Sequence, residues 1–144
     1  ADMVIVTTPA LAAQKVAQRA ADMARRSFVR VVGVIENMSQ FTDHHGDVHQ
    51  LFGSGGGAAL AAAIDAPLLG QVPLEPAVSA GGDAGTPVTL STDPATAAPG
   101  TAAAAFGTIV ERLDELVPAP GATDADMSGC SARLLGAVEA ALDA

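Results

Sequence analysis

Gly33-Val34-Ile35-Glu36-Asn37-Met38-Ser39, then Phe52-Gly53-Ser54-Gly55-Gly56-Gly57, then Pro67-Leu68-Leu69-Gly70-Gln71-Val72-Pro73-Leu74, decide the fold of this chain. An apolar run ends on a polar Asn, a glycine-rich turn opens a small-residue helix, and a second apolar run ends on Pro. That order reads as the carboxyl edge of a parallel α/β sheet, where such sheets take their ligands. Upstream, Met3 to Val6 is a short β-branched run that stops at Thr7-Thr8-Pro9. Thr8 is the expected cap of a helix with Pro9 at its first position. The helix is expected to run to about Arg26, with Ala13, Val16, Ala17, Ala20, Met23 and Ala24 on one face. Val29 to Ile35 follows as a buried strand.

Downstream, residues from Met38 to Leu51 are polar, hold all three histidines and show no periodicity, which predicts a loop. Ala58 to Ile64 reads as a short helix, Leu68 to Val72 as a strand, and Glu75 to Ala80 as a turn or helical stub closed by Gly81-Gly82. Strand and helix alternating at this spacing predict a parallel sheet of about three strands with crossover helices. Pro87 to Leu90 is expected to be extended, and Ser91 to Thr101 to be a surface connection. Phe106, Ile109, Val110, Leu113, Leu116 and Val117 form one stripe of a helix from Ala102 to Val117. Residues 118–127 read as a linker. Residues 128–144 read as a tail helix with Leu134, Leu135, Val138, Ala141 and Leu142 on one face.

With 144 residues of which 49% are hydrophobic, the chain is long enough to bury a core. Tyr and Trp are absent, so that core is built from Val, Leu, Ile and Ala. A formal charge of −9 opposes binding to a phosphate backbone, which excludes a nucleic-acid partner. Arg19, Arg25, Arg26 and Arg30 cluster at the end of the first helix, where cations favour the helix dipole. No stretch reads as a membrane span or as a signal sequence, so the expected location is cytoplasmic. One cysteine, Cys130, fits a reducing compartment and makes no internal disulfide.

Four segments invite chemistry. Asn37, at the carboxyl end of a strand, offers both a donor and an acceptor, as the edge of a purine requires; the same residue could serve its own turn. Pro73, Leu74 and Glu75 follow the next strand, where a stiffened backbone presents fixed hydrogen-bonding groups, or where Glu75 favours a helix N-terminus. Gly53 to Gly57 lacks the Lys followed by Ser or Thr of a phosphate loop, and Lys15, the one lysine, lies elsewhere. A tight turn with close helix packing is its expected role. Asp43, His44, His45, Asp47 and His49 are of metal-ligating type, but Gly46 interrupts them, and a solvated loop is favoured. No residue is assigned a catalytic or metal-binding role.

Taken together, GVIENMS, the glycine run, LLGQVPLEP and the upstream VTTPALAAQKVAQRA resemble the later portion of the Mrp/ApbC family. These are MinD/ParA-like P-loop ATPases that carry iron-sulfur clusters, and the resemblance covers residues 1–117. It implies an α/β fold that is part of a P-loop NTPase sheet, with Walker A, the switch regions and Walker B upstream of Ala1. It further implies that Asn37, Pro73, Leu74 and Glu75 supply the adenine side of an ATP site in a homodimer that delivers clusters to apo-protein targets. Phe41-Thr42-Asp43-His44-His45-Gly46 stands where many members carry Cys-x-x-Cys, which counts against a cluster held by this segment. A regulatory ATPase without a cluster and a non-catalytic remnant or adaptor are the alternatives. A sheet beginning at Ala1 is expected to leave one edge unpaired.

Overall fold

The computed structural model describes residues 1–117; the expected linker and tail helix lie outside them. The chain divides into two compact units, Ala1–Leu113 and Asp114–Ala144, and the first carries the sheet and every site discussed below.

Three parallel strands form the sheet: β1 (Asp2–Thr7), β2 (Arg30–Asn37) and β5 (Leu68–Val72), in the order β1-β2-β5. Helix α1 (Leu11–Arg26) crosses from β1 to β2, and α2 (Gly56–Ala63) lies in the connection from β2 to β5. Both helices cover the same face, where Ala17, Ala21, Leu60, Ala61 and Ile64 pack on Ile5 and Val34. The alternate residues of the strands face the other way. There α5 (Ala102–Leu116) seats Ala102 and Ile109 on Leu69 and Val72, with Val4 and Ile35 alongside. The result is the α/β class read from the sequence, a sheet between two helical layers.

Small residues set the spacing of these layers. A side chain at Gly33 would meet Leu69 Cγ at 2.4 Å, and one at Gly70 would meet Ile109 Cγ1 at 2.5 Å. The two glycines let β2 and β5 sit under large neighbours. The ladders carry register shifts between Met3 and Val4 on β1 and between Val34 and Ile35 on the β2–β5 side.

Several local expectations are corrected. Helix α1 starts at Leu11 behind Ala10, with no side-chain cap, rather than behind Thr8. Pro9 is buried instead, and its carbonyl accepts a hydrogen bond from Gln14 Nε2 at 2.9 Å. On α1 the buried residues are Ala17, Ala21 and Ala24; Ala17 and Ala24 belong to the predicted face, while its larger members Val16 and Met23 are exposed. The 38–51 stretch contains a small hairpin, β3 (Phe41–Thr42) with β4 (Val48–His49). Two-residue strands are too short to leave a periodic signal. After α3 (Pro76–Asp83), residues Val88–Ser91 form the short helix α4 rather than an extended piece, with Pro87 as its N-cap. Val110, placed on the α5 stripe, is 55% exposed. Among the described residues no helix is long and apolar enough to cross a membrane.

Candidate functional site

The carboxyl ends of β2 and β5 hold the polar groups of interest. Glu36 lies on the α2 face of β2 and is 1% exposed. Its Oε1 accepts a hydrogen bond from Gln71 Nε2 at 2.7 Å, and its Oε2 accepts the backbone N–H of Gly57. Gly57 is the second residue of α2, so a buried carboxylate meets the positive end of that helix. A side chain at Gly57 would meet Glu36 Cβ at 2.6 Å, and one at Gly56 would meet the Pro9 carbonyl oxygen at 2.4 Å. Gly55 caps α2 in the left-handed region, with φ of 72°. The glycine run is therefore a tight turn and a packing surface, as read from the sequence. The helix end that a phosphate loop would offer to an anion is filled by the protein's own carboxylate.

Asn37, one residue on, belongs to the opposite face. Its Oδ1 accepts the N–H of Met38 at 2.9 Å, and Met38 sits in the left-handed region with φ of 56°. The carboxamide thus stabilises a turn that a bulky residue enters at a cost. Asn37 lines a cavity of about 510 Å³ walled by Met3 to Thr7 of β1, by Thr8 just beyond it and by Ala13, Val16 and Ala20 of α1. Of the predicted α1 face, Ala13, Val16, Ala17 and Ala20 line this cavity, and Ala17 also packs in the core.

In the ladder Asn37 pairs with Val72, which places Pro73 immediately beyond it. The two ends continue together, because the N–H of Ser39 donates to Val72 O at 3.0 Å and that of Leu74 to Gln40 O at 2.7 Å. Pro73 is buried and lines a different cavity, of about 900 Å³, with Glu36, Gln40, Gln71, Thr101 and Arg112. Arg112 there donates to the carbonyls of Leu68 and Leu69 at 3.0 and 2.9 Å. Asn37 and Pro73 are thus neighbours in the sheet that open into separate cavities. Leu74 is half-buried. The carboxylate of Glu75 accepts the N–H of Ala102 at 2.7 Å, so it caps α5 rather than the helix it precedes in sequence.

Glu36 and Gln71 escaped the sequence reading as site residues. The available signal was parity: Glu36 is two residues from Val34, which is fully buried on the same face.

On the hairpin, Asp43 Oδ1 accepts the N–H groups of His45 and Asp47 at 2.9 and 3.0 Å, and Oδ2 meets His49 Nε2 at 2.9 Å. The His49 hydrogen bond, aided by these two amides, holds the Asp43 carboxyl below its ordinary value. Among the described residues no group of His, Cys, Asp and Glu could hold a metal ion.

Residues 1–114 match the family model described as ParA, NUBPL iron-transfer P-loop NTPase. An iron-sulfur cluster carrier protein of Mycobacterium tuberculosis is 48% identical over 97 residues, covering 63% of this chain and 26% of that protein. A cytosolic Fe-S cluster assembly factor Nubp1 homologue of Drosophila pseudoobscura is 39% identical over 98 residues, covering 66% of this chain and 32% of that protein. The chain therefore spans about a quarter to a third of the length of these relatives. Among solved structures, the septum site-determining protein MinD of Pyrococcus horikoshii, complexed with Mg-ADP, aligns with a TM-score of 0.60 at 20% identity. That alignment covers 81% of this chain and 42% of MinD, and it shows the shared fold.

Proposed function

We propose a nucleotide-site role for this chain, which belongs to the ParA, NUBPL iron-transfer P-loop NTPase family. In this reading the segment supplies the adenine side of an ATP site, and the rest of the native polypeptide supplies the phosphate-binding and magnesium-binding groups. ATP binding and hydrolysis by a homodimer then drive delivery of iron-sulfur clusters to apo-protein targets in the cytoplasm. The observation that carries the reading is Asn37. Its carboxamide stands at the end of β2, half-buried, beside a cavity along β1, whose only strand partner among the described residues is β2. A nucleotide base needs a flat apolar wall and a few fixed polar groups, and this cavity provides Val4, Val6 and Val16 beside Asn37.

Pro73 and Leu74 act by holding the β5 end in register with Asn37, and Glu75 acts by tying that end to α5. The cluster is cargo. Cys130 is the chain's one thiol, so cluster ligands would come from residues outside this segment or be shared between copies. The thiol-free hairpin favours, as a second reading, a nucleotide-dependent regulatory ATPase that carries no cluster. Titrating the native polypeptide with Mg-ADP, and assaying iron and acid-labile sulfide after reconstitution, tests both. Nucleotide binding with stoichiometric cluster supports the carrier; binding without cluster supports the regulatory ATPase; no nucleotide binding contradicts both.

A further inference from the structure

Three separate stretches of chain converge on the Glu36 carboxylate. Glu36 immediately precedes Asn37; Gly57 closes the excursion that leaves the sheet after Asn37; Gln71 lies two residues before Pro73. The carboxylate is 1% exposed, and its two partners among the described residues are a helix-end amide and a carboxamide, neither of them a cation. Burying a charge on such terms is costly, and an apolar side chain would pack at lower cost, as Val34 does two residues earlier. The charge therefore contributes something other than packing.

The ladder indicates what. The β2–β5 register shifts between Val34 and Ile35, one step before Glu36. A slip of β5 by one residue at this irregularity would turn Gln71 and every later β5 side chain to the other face. Asn37, whose own facing is fixed by the pairing of β2 with β1 through Thr7 and Glu36, would then lose Val72 as its ladder partner and Pro73 as its neighbour. We infer that the Glu36–Gln71 pair, anchored by the Gly57 amide, is a register lock that holds the β5 end, with Val72 and Pro73, beside Asn37 for base recognition. Glu36 is on this account a positioning residue. The lock also ties the return end of the 38–55 excursion to the strand end that carries Pro73.

This inference rests on the nucleotide reading for its function but not for its geometry, so the test reads both. Glu36→Met keeps the volume and removes the lock. Glu36→Gln keeps it, because the Gln71 carboxamide can turn to offer its oxygen to the new NH2 while the other end still accepts from Gly57. In the native polypeptide the Glu36→Met variant, which leaves the Gly57 amide without its acceptor, is expected to melt below wild type but to stay folded, to bind Mg-ADP at least tenfold more weakly, and to show two sets of Asn37 side-chain amide resonances. Glu36→Gln is expected to bind within threefold of wild type with a single set. Equal affinity in all three proteins, equal loss in both variants, or a single Asn37 resonance set in Glu36→Met would overturn the lock. If the wild type binds no Mg-ADP, the functional reading falls, and the Asn37 resonances still decide the lock.

Discussion

Glu36 and Asn37 are consecutive residues of one strand, yet they look onto opposite kinds of surroundings. On the Glu36 side the inner packing is tight: Val34, Leu60 and Ile64 are at most 4% exposed and each carboxylate oxygen has a partner, although the strand end borders the cavity of about 900 Å³ that Glu36 and Gln71 help to line. Along the β1 edge beside Asn37 the molecule is open. Val6 at 57%, Leu11 and Val16 at 66% and Met23 at 59% leave apolar surface on β1 and α1, and β1 pairs with β2 alone among the described strands. A finished interior supports a face that needs a complement. On the proposed reading the base is recognised at the Asn37 end, and the packed interior holds that end still.

The comparison can be broken most severely at Glu36. Glu36→Ala leaves the Gly57 amide and the Gln71 carboxamide without their acceptor beside a new void, and is expected to cost about 3 kcal/mol in denaturant unfolding. A cost below about 1 kcal/mol would mean that the closed side is not held by this group. Gly57→Ala is expected to cost about 2 kcal/mol, since its methyl would lie 2.6 Å from Glu36 Cβ in a layer with no room to yield. Stability unchanged by that methyl would show that α2 can shift freely. Asn37→Ala sharpens the contrast, because it removes one turn hydrogen bond from the open side and is expected to cost about 1 kcal/mol or less. Its effect should fall on nucleotide affinity instead, measured by calorimetry on the native polypeptide.

The smallest effect lies in the hairpin. The folded-state pKa of Asp43 is depressed, so its contribution is present above the ordinary carboxylate range and is lost as pH falls through the folded value. The amide resonances of His45 and Asp47 should move together in acid, with a midpoint below the ordinary Asp value of 3.8. A midpoint at or above that value would show that the carboxylate does not hold the turn.

The three sheet strands were legible because their apolar runs are bounded by Pro, Gly and Asn, and the crossover spacing made them parallel. Asn37 was legible as a strand-end residue for the same reason. The start of α1 was not, because Thr8-Pro9 carries the usual local signal while the chain uses Pro9 to pack against Gly56, 47 positions away. Glu36 was hidden by the same kind of distance. An acid before an Asn reads as solvent-facing until one knows that Gly57 and Gln71 come to meet it. The α1 stripe was legible in part: Ala17 and Ala24 are buried, whereas the larger Val16 and Met23 are exposed and Ala21 is buried beside them. Periodicity reports an apolar face without saying what covers it.

The central claim, that the base is recognised at the Asn37 end of β2, is tested most directly by photo-crosslinking the native polypeptide with 8-azido-ADP and sequencing the labelled peptides. The account predicts ADP-competed label on the peptide carrying Asn37. Specific, ADP-competed label confined to other peptides would contradict it.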